Sequence, residues 1–243
     1  MTYRTAARVV GALFITATVA LSLAVVVLQP VLGAPDYLTK ASLSGNRVAT
    51  GALFELINHI AVVAIAVAIY PVLRRFSERL ALGYVAARSI EAVLFAIGTM
   101  HLLALVAVSR EFVVAGTPPT SHFQTLGAVL LAGHDWDDAA LAFIAFSLGA
   151  LILNYVLYQA RLVPRWLSVW GLVAAALILA ARIMVVYGLD LSSATQTVFD
   201  APIAVQEMTF AVYLIVKGFN PAGRPSPRER SHDVLAVGEG EES

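Results

Sequence analysis

Six long runs of apolar residues, separated by short polar segments, occupy most of the chain between residues 9 and 219. A helix needs about 20 apolar residues to cross the hydrocarbon core of a bilayer. Lipid offers the backbone no hydrogen-bond partners, so a run of this length is expected to be helical. The pattern therefore predicts an all-α, polytopic transmembrane bundle within residues 1–219, with six helices at 9–32, 49–73, 80–108, 139–160, 166–187 and 201–219.

Two segments fall outside the predicted spans. Residues 109–138 form a long connection on the external side, and its apolar stretch at 121–133 is too short to cross, which indicates an interfacial or re-entrant segment. The end of the chain, 220–243, is rich in Pro, Gly, Arg and Glu and is predicted to be a disordered cytoplasmic tail.

The composition is typical of a membrane protein. Of the 243 residues, 59% are hydrophobic and 13% are charged, whereas a soluble domain carries about 25% charged residues. This excess of apolar residues argues against a water-soluble enzyme and against a nucleic-acid binder. The 16 basic and 16 acidic residues leave no net charge that would attract a polyanion. With no cysteine, the chain has neither disulfides nor thiolate metal ligands.

The basic residues are distributed unevenly between the two sides of the predicted bundle. Eleven lie on the side that holds both termini, three lie on the opposite side, and Arg88 and Arg182 fall within spans. Cytoplasmic loops carry the excess of Lys and Arg in membrane proteins. Both termini are therefore predicted to be cytoplasmic (N-in/C-in), in a multi-pass protein of a bacterial-type plasma (inner) membrane.

Several ionisable residues interrupt the spans, where burial in lipid makes them costly and favours a functional role. At a rise of about 1.5 Å per residue, most of them fall in the outer half of the bilayer. This convergence predicts one polar intramembrane pocket. Its candidate catalytic residues are Glu55, His59, Glu91 and Glu207, and its candidate ligand-contacting residues are Asn58, Arg88, His101 and Arg182.

Spacing along the helices relates four of these residues to one another. Glu55 and His59 are four positions apart and share a helix face, so they form either an interhelical hydrogen-bonding pair or a proton-transfer pair. Arg88 and Glu91 are three positions apart and can form an ion pair within one helix. Such a pair is as compatible with helix packing as with function.

Other polar groups also have structural explanations. Arg182 is expected to snorkel or to pair with Glu207 or Glu55. The cluster at 134–138, His-Asp-Trp-Asp-Asp, could hold a divalent cation, but capping of the fourth helix by its acidic residues is favoured. No zinc-protease, P-loop or serine-hydrolase motif occurs in the sequence. No metal and no cofactor are predicted.

Two stretches are similar to a known family. Residues 162–171 (LVPRWLSVWG) open the fifth predicted helix, and residues 202–219 span the sixth. Together with the start of the first helix at 8–11 and the Arg88–Glu91 spacing, they resemble domain-of-unknown-function family 4386 over residues 4–220. The resemblance implies a polytopic bacterial inner-membrane protein and implies no activity. The positions that match the family include Pro164, Arg165, Glu91 and Glu207.

Three functions are compatible with this pattern. The favoured one is an integral membrane protein whose outer-half pocket binds, or binds and transforms by acid–base chemistry, a small lipophilic molecule. The second is a structural or accessory protein whose buried charges only organise packing. The third is a proton-coupled transporter, against which the absence of internal repeats argues. The expected partners are the lipid bilayer and, for the favoured function, a lipophilic small molecule; no nucleic acid is expected, and the oligomeric state is not indicated.

Overall fold

The computed structural model describes residues 3–117, 122–135, 140–189 and 191–220. Within these ranges the chain forms eight α-helices and no strand: α1 Tyr3–Leu32, α2 Tyr37–Leu43, α3 Gly45–Leu73, α4 Glu78–Val114, α5 His122–His134, α6 Ala140–Gln159, α7 Arg165–Val186 and α8 Ser193–Val216. Six of them, α1, α3, α4, α6, α7 and α8, are long and apolar enough to cross a membrane. The predicted all-α class with six membrane spans is confirmed.

Several spans extend beyond their predicted bounds, including α1, which begins at Tyr3 instead of residue 9, and α3, which begins at Gly45 instead of residue 49. α4 continues to Val114 instead of ending at residue 108, because Phe112 is buried against α2. α8 begins at Ser193 instead of residue 201. The Ser192 hydroxyl accepts a hydrogen bond of 3.2 Å from the Thr195 amide and caps the helix. A polar cap, rather than hydropathy, therefore determines where α8 starts.

Two shorter helices pack against the end of α4. α2 follows α1, and α5 lies within the segment predicted to be an external loop. Leu38 of α2 forms one buried cluster with Leu105 and Phe112 of α4, and α5 residues cover part of it. The interfacial or re-entrant placement of α5 stays a prediction. Three predicted features lie outside the described residues: the start of the fourth span at 139, residues 136–138 of the His-Asp-Trp-Asp-Asp cluster and the tail at 221–243.

The six spans form a closed ring. Each contacts the next in chain order, from α1 to α3, α4, α6, α7 and α8, and α8 packs back against α1. α1 and α8 approach closely at Gly11, where an added Cβ would lie 2.6 Å from the Ala211 carbonyl oxygen. Because the ring is closed, side chains from all six spans can face one interior space.

One end of the ring is densely packed and carries basic loops. Arg75, in the connection between α3 and α4, lies 4.9 Å from the Tyr3 ring, and the Asn220 amide donates a hydrogen bond of 2.7 Å to the Leu162 carbonyl. We term this the basic end. The largest buried cluster fills the ring there and includes Val10, Phe14, Ile69, Leu73, Tyr84, Leu157, Leu162, Phe210 and Leu214.

Candidate functional site

A cavity of about 360 Å³ lies inside the ring, beyond the packed basic end. Every span contributes to its wall, and the wall is largely apolar, with four phenylalanine rings: Phe14, Phe95, Phe143 and Phe146. We term it the central cavity. Its polar and charged lining residues are Thr18, Ser22, Asn58, Arg88, Glu91, Asp200 and Glu207.

Arg88 and Glu91 form a buried ion pair in the cavity wall. The Nη1 atom of Arg88 lies 3.0 Å from Oε2 of Glu91, and each residue is 3% exposed. Their spacing of three on α4 places them on one helix face, as the sequence analysis expects. The guanidinium carbon of Arg88 lies 5.2 Å from the centre of the Phe146 ring, so a cation–π contact also stabilises the charge.

Glu207 reaches the same cavity from α8. Its side chain is only partly buried, and it makes no hydrogen bond or ion pair with any residue of the described chain. Arg88 lies within electrostatic range of its carboxyl, although the guanidinium is already paired with Glu91. Glu207 is therefore the acidic residue of the cavity wall that makes no ion pair with another described residue.

Arg182 pairs with Asp200, a partner that the sequence analysis did not consider. Nη2 of Arg182 donates a hydrogen bond of 2.6 Å to Oδ2 of Asp200, and Arg182 is 1% exposed. Its guanidinium carbon also lies 4.2 Å from the centre of the Phe143 ring. Asp200 was expected in a loop, but the earlier start of α8 places it about two turns inside the helix. The expected pairing of Arg182 with Glu207 or Glu55 is wrong for this reason.

Glu55 belongs to a separate hydrogen-bonded cluster. Its Oε2 atom accepts a hydrogen bond of 2.7 Å from the Thr99 hydroxyl, and its Oε1 atom lies 2.9 Å from Nε2 of His134. The cluster joins α3 to α4 and α5. Glu55 is 1% exposed, so its carboxyl oxygens are satisfied by neighbouring helices rather than by water.

His59 extends this cluster toward the interior. Its Nε2 atom lies 3.1 Å from the Thr99 hydroxyl oxygen. Since that hydroxyl donates its proton to Glu55, the network assigns the His59 proton to Nε2. The other ring nitrogen, Nδ1, is buried and finds no hydrogen-bond partner in the described chain. The ring stacks on Phe95, with centroids 6.1 Å apart and planes within 5°.

A second, smaller cavity of about 180 Å³ adjoins this cluster and is lined by Glu55, Thr99 and His134. Phe95 lines both cavities and separates them. The structure thus divides the predicted polar set into two groups. Arg88, Glu91, Glu207 and Asn58 face the central cavity, whereas Glu55 and His59 belong to the neighbouring cluster.

The remaining candidates make structural contacts. Asn58 lines the central cavity, and its Nδ2 atom donates a hydrogen bond of 3.0 Å to the Ala17 carbonyl of α1. His101 lies in the wall of neither cavity, and its Nδ1 atom bonds to the Ile97 carbonyl of its own helix at 2.9 Å. Among the described residues, no group of three or more His, Cys, Asp or Glu side chains could hold a metal ion.

Sequence reasoning missed Thr99 and His134. Thr99 lies eleven residues after Arg88, or about three helical turns, so its position on the interior face could have been read from the helical period. A neutral hydroxyl costs little free energy to bury in a span, so a search for ionisable residues within the spans does not find it. His134 was assigned to the acidic cluster, and its contact with Glu55 depends on how α5 packs.

Exposed residues also line the central cavity. Ser22 of α1 and Ala204 of α8 belong to its wall and are exposed, and Thr18 beside them is partly buried. These residues lie two to three helical turns along α1 and α8 from the close approach of the two helices at Gly11. The cavity is therefore bordered by exposed residues of both helices, a region we term the α1–α8 seam.

Comparison with known proteins finds one match. The model of a domain of unknown function, DUF4386, matches residues 9–218, which is most of the chain. No curated protein and no solved structure matches the sequence. The resemblance noted from the motifs is thereby confirmed, and the chain belongs to the DUF4386 family of domains of unknown function.

Proposed function

We propose that this membrane protein binds a small lipophilic molecule in the central cavity. The observation that carries the proposal is a largely apolar space of about 360 Å³ lined by Glu207, whose carboxyl makes no ion pair with another described residue. Ligand pockets are typically 300–1,000 Å³, mostly apolar, with a few convergent polar groups. The buried Arg88–Glu91 pair, the partly buried Arg182–Asp200 pair and the Asn58 hydrogen bond are accounted for by packing, whereas Glu207 is not.

The bilayer supplies the route of access. The support is that Ser22 and Ala204, on neighbouring helices, both border the cavity and are exposed. A lipophilic solute dissolved in the hydrocarbon therefore reaches the cavity sideways, between α1 and α8, without crossing the packed basic end. The α1–α8 seam is the proposed portal.

The proposed roles of the acidic residues differ according to their contacts. Glu207 is the group that exchanges a proton with a bound molecule, as a general acid or base. Glu91 is held by Arg88 and supports the electrostatics of the cavity. Glu55 and His59 lie on the other side of Phe95 and form a hydrogen-bonded chain with Thr99. This chain is proposed to exchange protons between the central cavity and the end of the ring opposite the basic end.

We further propose that the basic end faces the cytoplasm of a bacterial-type cell. The support is the distribution of basic residues, eleven on the side of both termini against three on the other. The chain contains no cysteine, so single cysteines at the exposed Glu78 and Asn46 report on the two ends without further changes. In intact cells, an impermeant maleimide should label the Asn46→Cys protein and not the Glu78→Cys protein. The reverse pattern would overturn the orientation.

A structural or accessory role is the second candidate. It is favoured by the Arg88–Glu91 and Arg182–Asp200 pairs, since paired charges can serve packing alone. If this role is correct, the cavity binds no small molecule, and a substitution that fills the cavity would not change the labelling of the protein by a small-molecule probe.

Photolabelling in liposomes tests the binding proposal. The probe is a straight-chain alkyl alcohol that carries a diazirine, and the labelled peptides are mapped by mass spectrometry. We expect saturable labelling of cavity-lining segments, which Ala204→Phe should abolish. Ala201→Phe, at an exposed position of α8 outside the cavity wall, is the matched control and should leave labelling unchanged. Labelling that never saturates, or that both variants leave intact, would exclude the cavity as a binding site.

A further inference from the structure

We propose that the molecule bound in the central cavity is a lipophilic cation, such as an alkylamine in its protonated form; this rests on the proposed function above. The charges in and beside the cavity wall are the starting point. Arg88 is paired with Glu91, and Arg182 is paired with Asp200. Among the described residues around the cavity, Glu207 then remains as the one charge without an opposite partner.

An ionised carboxyl in this position is stabilised by a bound cation. Charges within a span are costly unless they are paired or face water. Glu207 projects from α8 into a wall that is otherwise mainly aliphatic and aromatic, and no described residue forms an ion pair with it. An ammonium group on the ligand would supply the partner and a charge-assisted hydrogen bond.

The aromatic wall also suits a cation. Two of its rings already contact guanidinium groups, Phe146 that of Arg88 and Phe143 that of Arg182. The negative faces of such rings attract positive charge, most strongly where water is excluded. Four phenylalanines line this cavity, so a protonated amine would meet both a carboxylate and aromatic rings.

An anionic ligand is disfavoured by the same arrangement. Both guanidinium groups near the cavity are within 3.0 Å of a carboxylate oxygen of this chain, so neither offers a free charge to an incoming anion. An anion would also add to the negative charge of Glu207. The alkyl portion of an amphiphilic amine would occupy the apolar part of the cavity after passage between α1 and α8.

The test compares two diazirine probes of equal chain length, one a primary amine and one the alcohol used above. In wild-type protein the amine should reach half-saturation of cavity labelling at about a tenfold lower concentration than the alcohol, as a charge-assisted hydrogen bond predicts. Glu207→Gln, which preserves shape, should remove this preference, so that the amine and the alcohol reach half-saturation at the same concentration. Glu78→Gln, an exposed acidic residue at the basic end, is the control and should keep the preference.

The outcomes separate this inference from the function on which it rests. Saturable alcohol labelling with no preference for the amine would overturn the cationic ligand while leaving the binding function intact. An amine preference that survives Glu207→Gln would also overturn it, because surface charge would then be the cause. If neither probe labels the cavity saturably, the binding function itself fails. The wild-type comparison requires no variant, so misfolding of Glu207→Gln cannot hide the answer.

Discussion

Arg182 on α7 and Asp200 on α8 form an ion pair with an Nη2–Oδ2 distance of 2.6 Å inside the ring of spans. The arginine is 1% exposed and also lies against the Phe143 ring. This pair joins the last two spans beside the central cavity.

Removing the charge of Asp200 should destabilise the protein. Asp200→Asn leaves the buried guanidinium of Arg182 without this carboxylate, and the free energy of unfolding should fall by about 3 kcal/mol. Unfolding in mixed micelles by titration with a denaturing detergent measures the loss. The control is Asp36→Asn, since Asp36 forms an exposed ion pair with Lys40 and its loss should cost less than about 1 kcal/mol. Equal losses in the two variants would contradict a structural role for the Arg182–Asp200 pair.

The three charged residues of the central cavity should differ in their effect on stability. Arg88→Met leaves Glu91 without its ion-pair partner, in a cavity that also holds the Glu207 carboxyl, and should cost about 3–5 kcal/mol of unfolding free energy. Glu91→Gln should cost less, because Glu207 remains within range of Arg88. Glu207→Gln should be neutral or stabilising, since no described residue pairs with it.

The same unfolding measurement orders these three variants. A loss for Glu207→Gln as large as that for Glu91→Gln would show that Glu207 is a structural partner of Arg88. That result would favour the structural or accessory role over ligand binding.

The parts of this structure that could be predicted from sequence are those set by local physics. The six spans follow from hydropathy, and the Arg88–Glu91 pair follows from spacing on one helix. The partner of Arg182 could not be predicted, because it depends on a helix start that a serine cap determines. The separation of Glu55 from Glu207 depends on the position of one ring, that of Phe95.

Thr99 should stabilise the protein more through the hydrogen bonds of its hydroxyl than through the packing of its methyl group. Thr99→Val removes the donor to Glu55 and the acceptor for His59, and leaving buried polar groups unpaired should cost about 1–3 kcal/mol. Thr99→Ser keeps the hydroxyl and loses one methyl group, which should cost about 0.8 kcal/mol. Thermal unfolding of the two variants in the same detergent compares them. If the serine variant is as unstable as the valine variant, methyl packing rather than the hydrogen-bonded cluster explains the residue.

The close approach of α1 and α8 at Gly11 should not tolerate a larger side chain. In Gly11→Ala the new Cβ would lie 2.6 Å from the Ala211 carbonyl oxygen, a backbone atom that cannot rotate away. The two helices must then separate, and overpacking of this kind costs about 1–3 kcal/mol. The gain in helix propensity from Gly to Ala, about 1 kcal/mol, offsets only part of that cost.

Gly83→Ala is the matched control for this prediction. At this position in α4 the nearest atom to the new Cβ is the Ile152 Cδ1 at 3.4 Å, the movable end of a side chain. The helix propensity gain should then dominate, so Gly83→Ala should be as stable as wild type or up to about 1 kcal/mol more stable. In thermal unfolding, Gly11→Ala should therefore be less stable than wild type, whereas Gly83→Ala should be equally or more stable. If Gly11→Ala were as stable as Gly83→Ala, α1 and α8 would separate at little cost, and their contact would not be what closes the ring.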